Sequence, residues 1–111
     1  MAFNPELSRQ FLNFILRELS MLIQMEDRHY DPREIAAAMM KQVKVSGSDI
    51  HGLNGETLES ATRRVGMTLS HQHKGKMNSR LLRDRKPDLK SKAIGGCYTY
   101  YYQPAKETEN A

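Results

Sequence analysis

Residues 90–102 have the sequence KSKAIGGCYTYYY, which joins a short basic stretch to a tyrosine-rich stretch through a Gly-Gly pair. Tyrosine and threonine favour extended strands, and Gly95-Gly96 is a turn signal between two such strands. The stretch therefore predicts a β-hairpin. The hairpin decides the fold class because the segments before it have mainly helical patterns. The expected fold is therefore mainly α with a small β-hairpin.

Alternation along the second strand divides its side chains between two faces. Tyr98, Tyr100 and Tyr102 share one face, and Thr99 and Tyr101 share the other. We expect one face to pack on the domain while the other stays half exposed. The alternative is that the tyrosines stack on the bases of a single-stranded nucleic acid.

Two predicted helices precede the hairpin. The earlier one begins near Gly55 or Thr57 and ends at Gly66, a residue type suited to the left-handed conformation that ends many helices. The later one begins after Thr68, a good N-cap, and ends before Pro87. A helix, a turn and a second, cationic helix follow the order of a helix-turn-helix.

This order, continued by a basic strand, a Gly-Gly turn and a return strand, resembles winged-helix DNA-binding proteins of the bacterial, phage or plasmid regulator kind. The resemblance covers roughly residues 31–103 and is one of pattern. It implies a mainly α fold with a small β-hairpin, a winged helix-turn-helix whose second helix is the recognition helix. Gly75 and His73 inside that helix depart from the pattern. The residues that carry the resemblance are Leu58, Ala61, Val65, Gly66, Leu69, Leu81, Leu82, Gly95, Gly96 and Tyr98 to Tyr102.

Two further helices are predicted nearer the N-terminus. A long first helix begins at Asn4-Pro5 and extends to about Arg28, and a second begins at the near capping box Asp31–Glu34 and extends to about Val43. The chain is therefore predicted to consist of an N-terminal dimerisation helix over residues 1–30, a winged-helix domain over residues 31–103 and a flexible tail over residues 104–111.

The first predicted helix is apolar over most of its circumference. Its polar residues form one narrow stripe, spaced by three and four, whereas an ordinary surface helix has a limited apolar stripe. Such a helix has to be covered from two sides, and a homodimer is the economical solution in 111 residues. The alternative is a helix that runs through the middle of a compact monomer. The expected dimer interface comprises Phe11, Phe14, Ile15, Leu19, Leu22 and Met25. Glu18 lies within the same stretch of the helix.

The charge of the chain is unevenly distributed. The formal net charge is +4, but residues 63–92 hold ten basic and two acidic side chains, net +8. Residues 1–62 carry net −3, from six basic and nine acidic side chains. A basic block of this kind predicts a polyanion-binding surface, with a plain solvated face as the alternative.

Site residues follow from placing the recognition helix at Leu69 and the wing at the hairpin. Short polar, amide and basic side chains suit base edges in the major groove, and arginine and lysine suit phosphates. The expected base-contacting residues are Ser70, His71, Gln72, Lys74 and Asn78. The expected backbone-contacting residues are Arg63, Arg64, Lys76, Arg80, Arg83, Lys90 and Lys92.

Several functions are not expected from this sequence. The single cysteine, Cys97, excludes an internal disulfide and the usual cysteine-based zinc site. His71 and His73 lie two residues apart and so do not share a helix face, which disfavours a metal site. No catalytic constellation or phosphate loop is recognisable, so neither an enzyme nor a cofactor is predicted. No membrane span or signal peptide is apparent, and we expect a cytoplasmic protein.

The sequence thus predicts a homodimeric, sequence-specific duplex-DNA-binding regulator of transcription, with contact to the transcription machinery left open. The rival hypothesis is a small adaptor or phage-type inhibitor whose basic face binds an acidic protein. Both hypotheses use the same charge block, and binding to a random duplex distinguishes them.

Overall fold

The computed structural model describes residues 5–74 and 89–102. Within these ranges the fold is mainly helical with a small two-stranded antiparallel hairpin, as the sequence predicts. A 3₁₀ turn, Leu53–Gly55, precedes the third helix. The elements are α1 (Pro5–Met25), α2 (Pro32–Ser46), α3 (Leu58–Lys74), β1 (Leu89–Ile94) and β2 (Cys97–Tyr102).

Helix α2 begins and ends at the signals that the sequence contains. The Asp31 carboxylate accepts a hydrogen bond from the Glu34 backbone N–H at 2.9 Å, and the Glu34 carboxylate accepts one from the Asp31 N–H at 3.0 Å. This reciprocal capping satisfies two backbone donors that the first turn would otherwise leave unpaired. The helix ends at Gly47, whose φ of 76° is left-handed and whose N–H donates to the Val43 carbonyl.

The hairpin forms around the Gly-Gly pair. Gly95 and Gly96 have φ values of 59° and 83°, a combination that matches the twist of a two-residue turn and that other residues adopt only with strain. In this register Ile94 pairs with Cys97 and Leu89 pairs with Tyr102. The predicted hairpin is confirmed.

The tyrosine-rich strand packs one face on the domain, as expected. Tyr100 is buried in the core, Tyr102 is half-buried against it, and Tyr98 near the turn is exposed. On the other face Thr99 is buried and donates to the Lys92 carbonyl at 2.8 Å, while Tyr101 is half-buried. The packing of Tyr100 and Tyr102 leaves Tyr98 as the exposed ring on its face.

Tyr30 pairs the backbone of the hairpin with the helical part of the fold. Tyr30, which lies between α1 and α2, makes an antiparallel bridge to Tyr100, with backbone hydrogen bonds of 2.9 and 2.7 Å. The second strand is therefore paired on both edges, by β1 and by Tyr30. The Tyr30 hydroxyl lies 2.8 Å from both the Leu22 and the Glu26 carbonyl oxygens, which share its one hydrogen, and so contacts the C-terminal end of α1.

Helix α1 lies in the core of one protomer. Its predicted polar stripe is exposed at Asn13, Arg17 and Gln24, and most of its apolar remainder contacts α2, α3 and β2. One hydrophobic core extends from α1 through α2 and α3 to the hairpin. The same chain packs against α1 on two sides. This arrangement corresponds to the alternative to a dimer, a helix that runs through the middle of a compact monomer.

The predicted dimer interface is wrong for three of its six residues. Phe11, Ile15 and Leu19 are buried in the core, and Phe14 and Leu22 are half-buried against it. The three buried side chains cannot also contact a second copy, because their surfaces are already covered within the same chain. Only Met25 of the predicted set is freely accessible, with 83% of its surface exposed.

The predicted turn at Gly66 is also wrong, because α3 continues through it to Lys74. Ala61, Val65 and Leu69 are fully buried at four-residue spacing, so one apolar stripe crosses the glycine without interruption. The predicted cap, Thr68, instead donates its hydroxyl to the carbonyl four residues earlier at 2.9 Å, as threonines inside helices do. The described residues therefore contain no helix-turn-helix centred on Gly66, and no recognition helix starts at Leu69.

We expect Gly66→Ala to stabilise the protein by about 0.5–1 kcal/mol, because alanine costs less than glycine inside a helix. The added Cβ would meet Pro32 Cγ at 3.6 Å, an ordinary contact. Urea unfolding followed by circular dichroism measures the change. The matched control is Gly95→Ala, which should destabilise because its φ of 59° disfavours alanine. A loss of stability in Gly66→Ala would contradict a continuous α3.

Candidate nucleic-acid interface

The solvent-facing side of α3 is the candidate site. Glu59, Arg63 and Met67 are exposed at four-residue spacing, opposite the buried stripe, and Ser70 beside them is half-buried. Position 74 continues this face by helical spacing. We call the residues at positions 59, 63, 67, 70 and 74 the outer face of α3.

The predicted base-contacting residues at positions 70–74 lie at the C-terminal end of α3, whereas the sequence pattern predicts them at the N-terminal end of a separate helix. Ser70 lies on the outer face, and His71, Gln72 and Lys74 lie in the last turn of α3. The sequence pattern predicts these residues near the start of a new helix. Asn78 lies outside the described residues.

Arg64 is a structural residue, which corrects its assignment to phosphate binding. Its guanidinium donates to the His51 carbonyl at 3.0 Å and to the Glu56 carboxylate at 2.9 Å. It also covers the Phe11 ring, with Cζ 4.6 Å from the ring centroid. Position 64 borders the buried stripe and faces the loop between α2 and α3, so this arginine attaches that loop to α3 and α1.

The other predicted phosphate contacts that the structure describes lie on α3 and on β1. Arg63 is exposed on the outer face of α3, and Lys90 and Lys92 are exposed on β1, two residues apart and so on one side of the strand. Lys76, Arg80 and Arg83 lie outside the described residues.

Several contacts attach the hairpin to the connection between α1 and α2. The Tyr101 hydroxyl donates to Asp27 at 2.8 Å, and its ring lies 5.2 Å from the His29 ring. The Ser20 hydroxyl donates to the Tyr102 carbonyl at 3.4 Å. Because these contacts add to the Tyr30 bridge, the hairpin has a defined position on the helical core, with Lys90 and Lys92 on its outer strand.

An ion pair that the sequence analysis missed stabilises the same connection. The Arg28 guanidinium pairs with the Glu34 carboxylate at 2.7 Å and lies over the Tyr30 ring, 4.0 Å from its centroid. The hydrogen bond from Arg28 lowers the pKa of Glu34, so the carboxylate that caps α2 stays charged at neutral pH.

Comparison with protein-family models, with curated proteins and with solved structures gives no match. In the described residues no group of three or more His, Cys, Asp or Glu side chains is arranged to hold a metal ion. Among the helices that the structure describes, none is both long enough and apolar enough to span a membrane.

Proposed function

We propose that the protein is a winged-helix regulator that binds duplex DNA, with α3 as the recognition helix and the β1–β2 hairpin as the wing. The observation that carries the proposal is the order in which α3 is followed by a basic strand, a glycine turn and a return strand attached to the helical core. This is the order that the resemblance implies, with α3 in the place of the predicted later helix.

The positive charge supports the same assignment. The block of net +8 over residues 63–92 begins on the outer face of α3 at Arg63 and ends on β1 at Lys92. A cationic helix beside a cationic strand offers phosphate contacts on both sides of one groove. Residues 1–62 carry net −3, so the positive charge lies in the later part of the chain.

The base contacts are reassigned to the outer face of α3. Arg63 and Lys74 carry groups that pair with guanine acceptors, and Ser70 carries a hydroxyl that suits either a base or a phosphate. Met67 is 54% exposed at the centre of this face, where an apolar side chain contacts a thymine methyl group. His71 and Gln72, which the sequence also predicts to contact bases, lie in the last turn of α3.

A homodimer remains part of the proposal, but through a different surface. Leu7, Met21 and Met25 are exposed apolar residues on one edge of α1, at spacings of 14 and four. These spacings place them on one helical stripe. Two copies joined along that edge would present two α3 helices to half-sites about one helical turn apart.

The test is binding to a random-sequence duplex across a range of salt concentrations. We expect binding at low salt, with log affinity falling against log salt at a slope of about −5, because about six phosphates are contacted per protomer. Fluorescence anisotropy of a labelled duplex measures this, with unlabelled single strand of the same length as competitor. No binding at low salt favours the acidic-protein partner, and preferential competition by the single strand favours base stacking on Tyr98.

A further inference from the structure

A cavity of about 490 Å³ opens between α1, the C-terminal end of α2 and the loop that follows α2. None of its lining residues belongs to α3 or to the hairpin, so it is separate from the candidate DNA-binding surface. Its volume lies within the range of small-molecule sites in proteins. The residues that define its chemistry are Phe14, Arg17, Val43, Asp49, Ile50 and His51.

One wall of the cavity contains two aromatic rings. The His51 ring is stacked on the Phe14 ring, with centroids 6.2 Å apart and planes inclined by 30°. Phe11 supports the imidazole from behind in an edge-to-face contact of 5.1 Å. Ile50 at the rim exposes 67% of its surface, which is apolar area that a flat ligand would remove from water.

The cationic group of the cavity is Arg17. Its side chain is 66% exposed, and its Cζ lies 5.5 Å from the Phe14 centroid, so the charge stands beside the aromatic wall. The neighbouring Glu18 oxygen is 3.9 Å from Arg17 Nε, which is beyond hydrogen-bond distance. The guanidinium therefore keeps donors for an incoming anion.

Asp49 is the acidic residue among those that line the cavity, and its carboxylate is hydrogen-bonded within the loop that follows α2. One Asp49 carboxylate oxygen accepts from the Leu53 N–H at 2.7 Å, and the other accepts from the Asn54 N–H at 2.8 Å. These two hydrogen bonds direct the carboxylate toward the 3₁₀ turn. Arg64 and Asp49 are the charged residues that act on the His51 ring, and Arg17 is the cationic residue that lines the cavity beside Phe14.

We propose that this cavity binds a small planar aromatic carboxylate. The ring lies against Phe14, His51 and Ile50, and the carboxylate accepts hydrogen bonds from Arg17. A ligand site here stands whether or not α3 binds DNA.

The cavity is also connected to α3 through one side chain. The His51 carbonyl accepts a hydrogen bond from Arg64 of α3, and the same guanidinium covers Phe11 behind the imidazole. A ligand that orders His51 therefore acts on the residue that attaches the loop to α3. The amide of Arg64 is thus a second readout of occupancy, outside the cavity itself.

The experiment titrates benzoate, benzamide and benzamidine into ¹⁵N-labelled protein and follows the amide spectrum. The three probes have nearly the same shape and differ in charge. We expect benzoate to bind with a Kd of about 1 mM or lower and to shift amides of the cavity and of Arg64. Benzamide and benzamidine should bind at least about tenfold more weakly, because a charged hydrogen bond to Arg17 is lost.

Two substitutions identify the site. Arg17→Gln should weaken benzoate binding about tenfold, whereas Lys41→Gln, which removes an exposed charge from α2 outside the cavity, should leave it unchanged. Ile50→Ser, on an exposed side chain whose change spares the core, should weaken benzoate binding and tests the aromatic wall independently. The absence of saturable benzoate shifts, equal binding of benzamidine, or wild-type affinity in Arg17→Gln would overturn the proposal.

Discussion

Ile15→Glu is expected to unfold the protein. Ile15 has no exposed surface and lies in the core that α1 shares with α2, α3 and the hairpin. A buried carboxylate without a partner, together with the lost apolar contacts, costs more than about 4 kcal/mol, against a total stability of about 5–15 kcal/mol for an ordinary domain. Far-ultraviolet circular dichroism and a thermal melt measure the result.

The Ile15→Glu variant also tests whether Ile15 lies in the core of one chain or at an interface between two copies. If Ile15 lay at an interface between two copies, Ile15→Glu would give a folded monomer with native circular dichroism and a smaller sedimentation coefficient. The matched control is Gln24→Glu, which places the same charge on the exposed polar stripe of the same helix, away from the apolar edge at Met25, and should melt close to the wild type. A folded Ile15→Glu monomer would contradict the packing of α1 described above.

The second large effect is expected from charge reversal on the outer face of α3. Arg63→Glu combined with Lys74→Glu should reduce duplex affinity more than about 100-fold at low salt. Each substitution removes a positive charge from the surface that faces the duplex and adds a repulsion to the phosphates, so the salt dependence should also flatten by about 0.9 for each charge removed. Fluorescence anisotropy at several salt concentrations measures both quantities.

The control for this variant carries the same change in net charge elsewhere. Arg33→Glu combined with Lys41→Glu reverses two exposed charges on α2 and leaves α3 unchanged. We expect the control to lose only the small affinity that follows from a more negative protein. Equal losses in the two double variants would mean that the overall field, and not the outer face of α3, determines binding.

The local elements were predictable from the sequence because their signals lie within a few residues. The reciprocal caps of α2 join Asp31 to Glu34, three positions apart. The turn of the hairpin depends on Gly95 and Gly96, both of which adopt positive φ. The polar stripe of α1 and the buried tyrosine face of β2 follow from helical and strand periodicity.

The site was predicted only in part because its geometry depends on contacts between distant segments. Gly66 looks like a helix end on its own, but the bare side of the glycine lies against Pro32 of α2, and the helix continues. Arg64 looks like a phosphate ligand in a basic block, but His51, Glu56 and Phe11 hold its guanidinium. Neither contact has a sequence spacing that a local pattern could detect.

An unusually apolar first helix, a capped second helix, a hairpin with a Gly-Gly turn and a basic block over residues 63–92 are all visible in the amino-acid sequence. Those features depend on periodicity, caps and charge, which act over a few residues. The folded protein was needed to show that its own chain covers most of α1, that α3 is one helix, and which arginine faces solvent. These outcomes depend on which distant surfaces fit together, because burial and hydrogen-bond partners are properties of the packed protein.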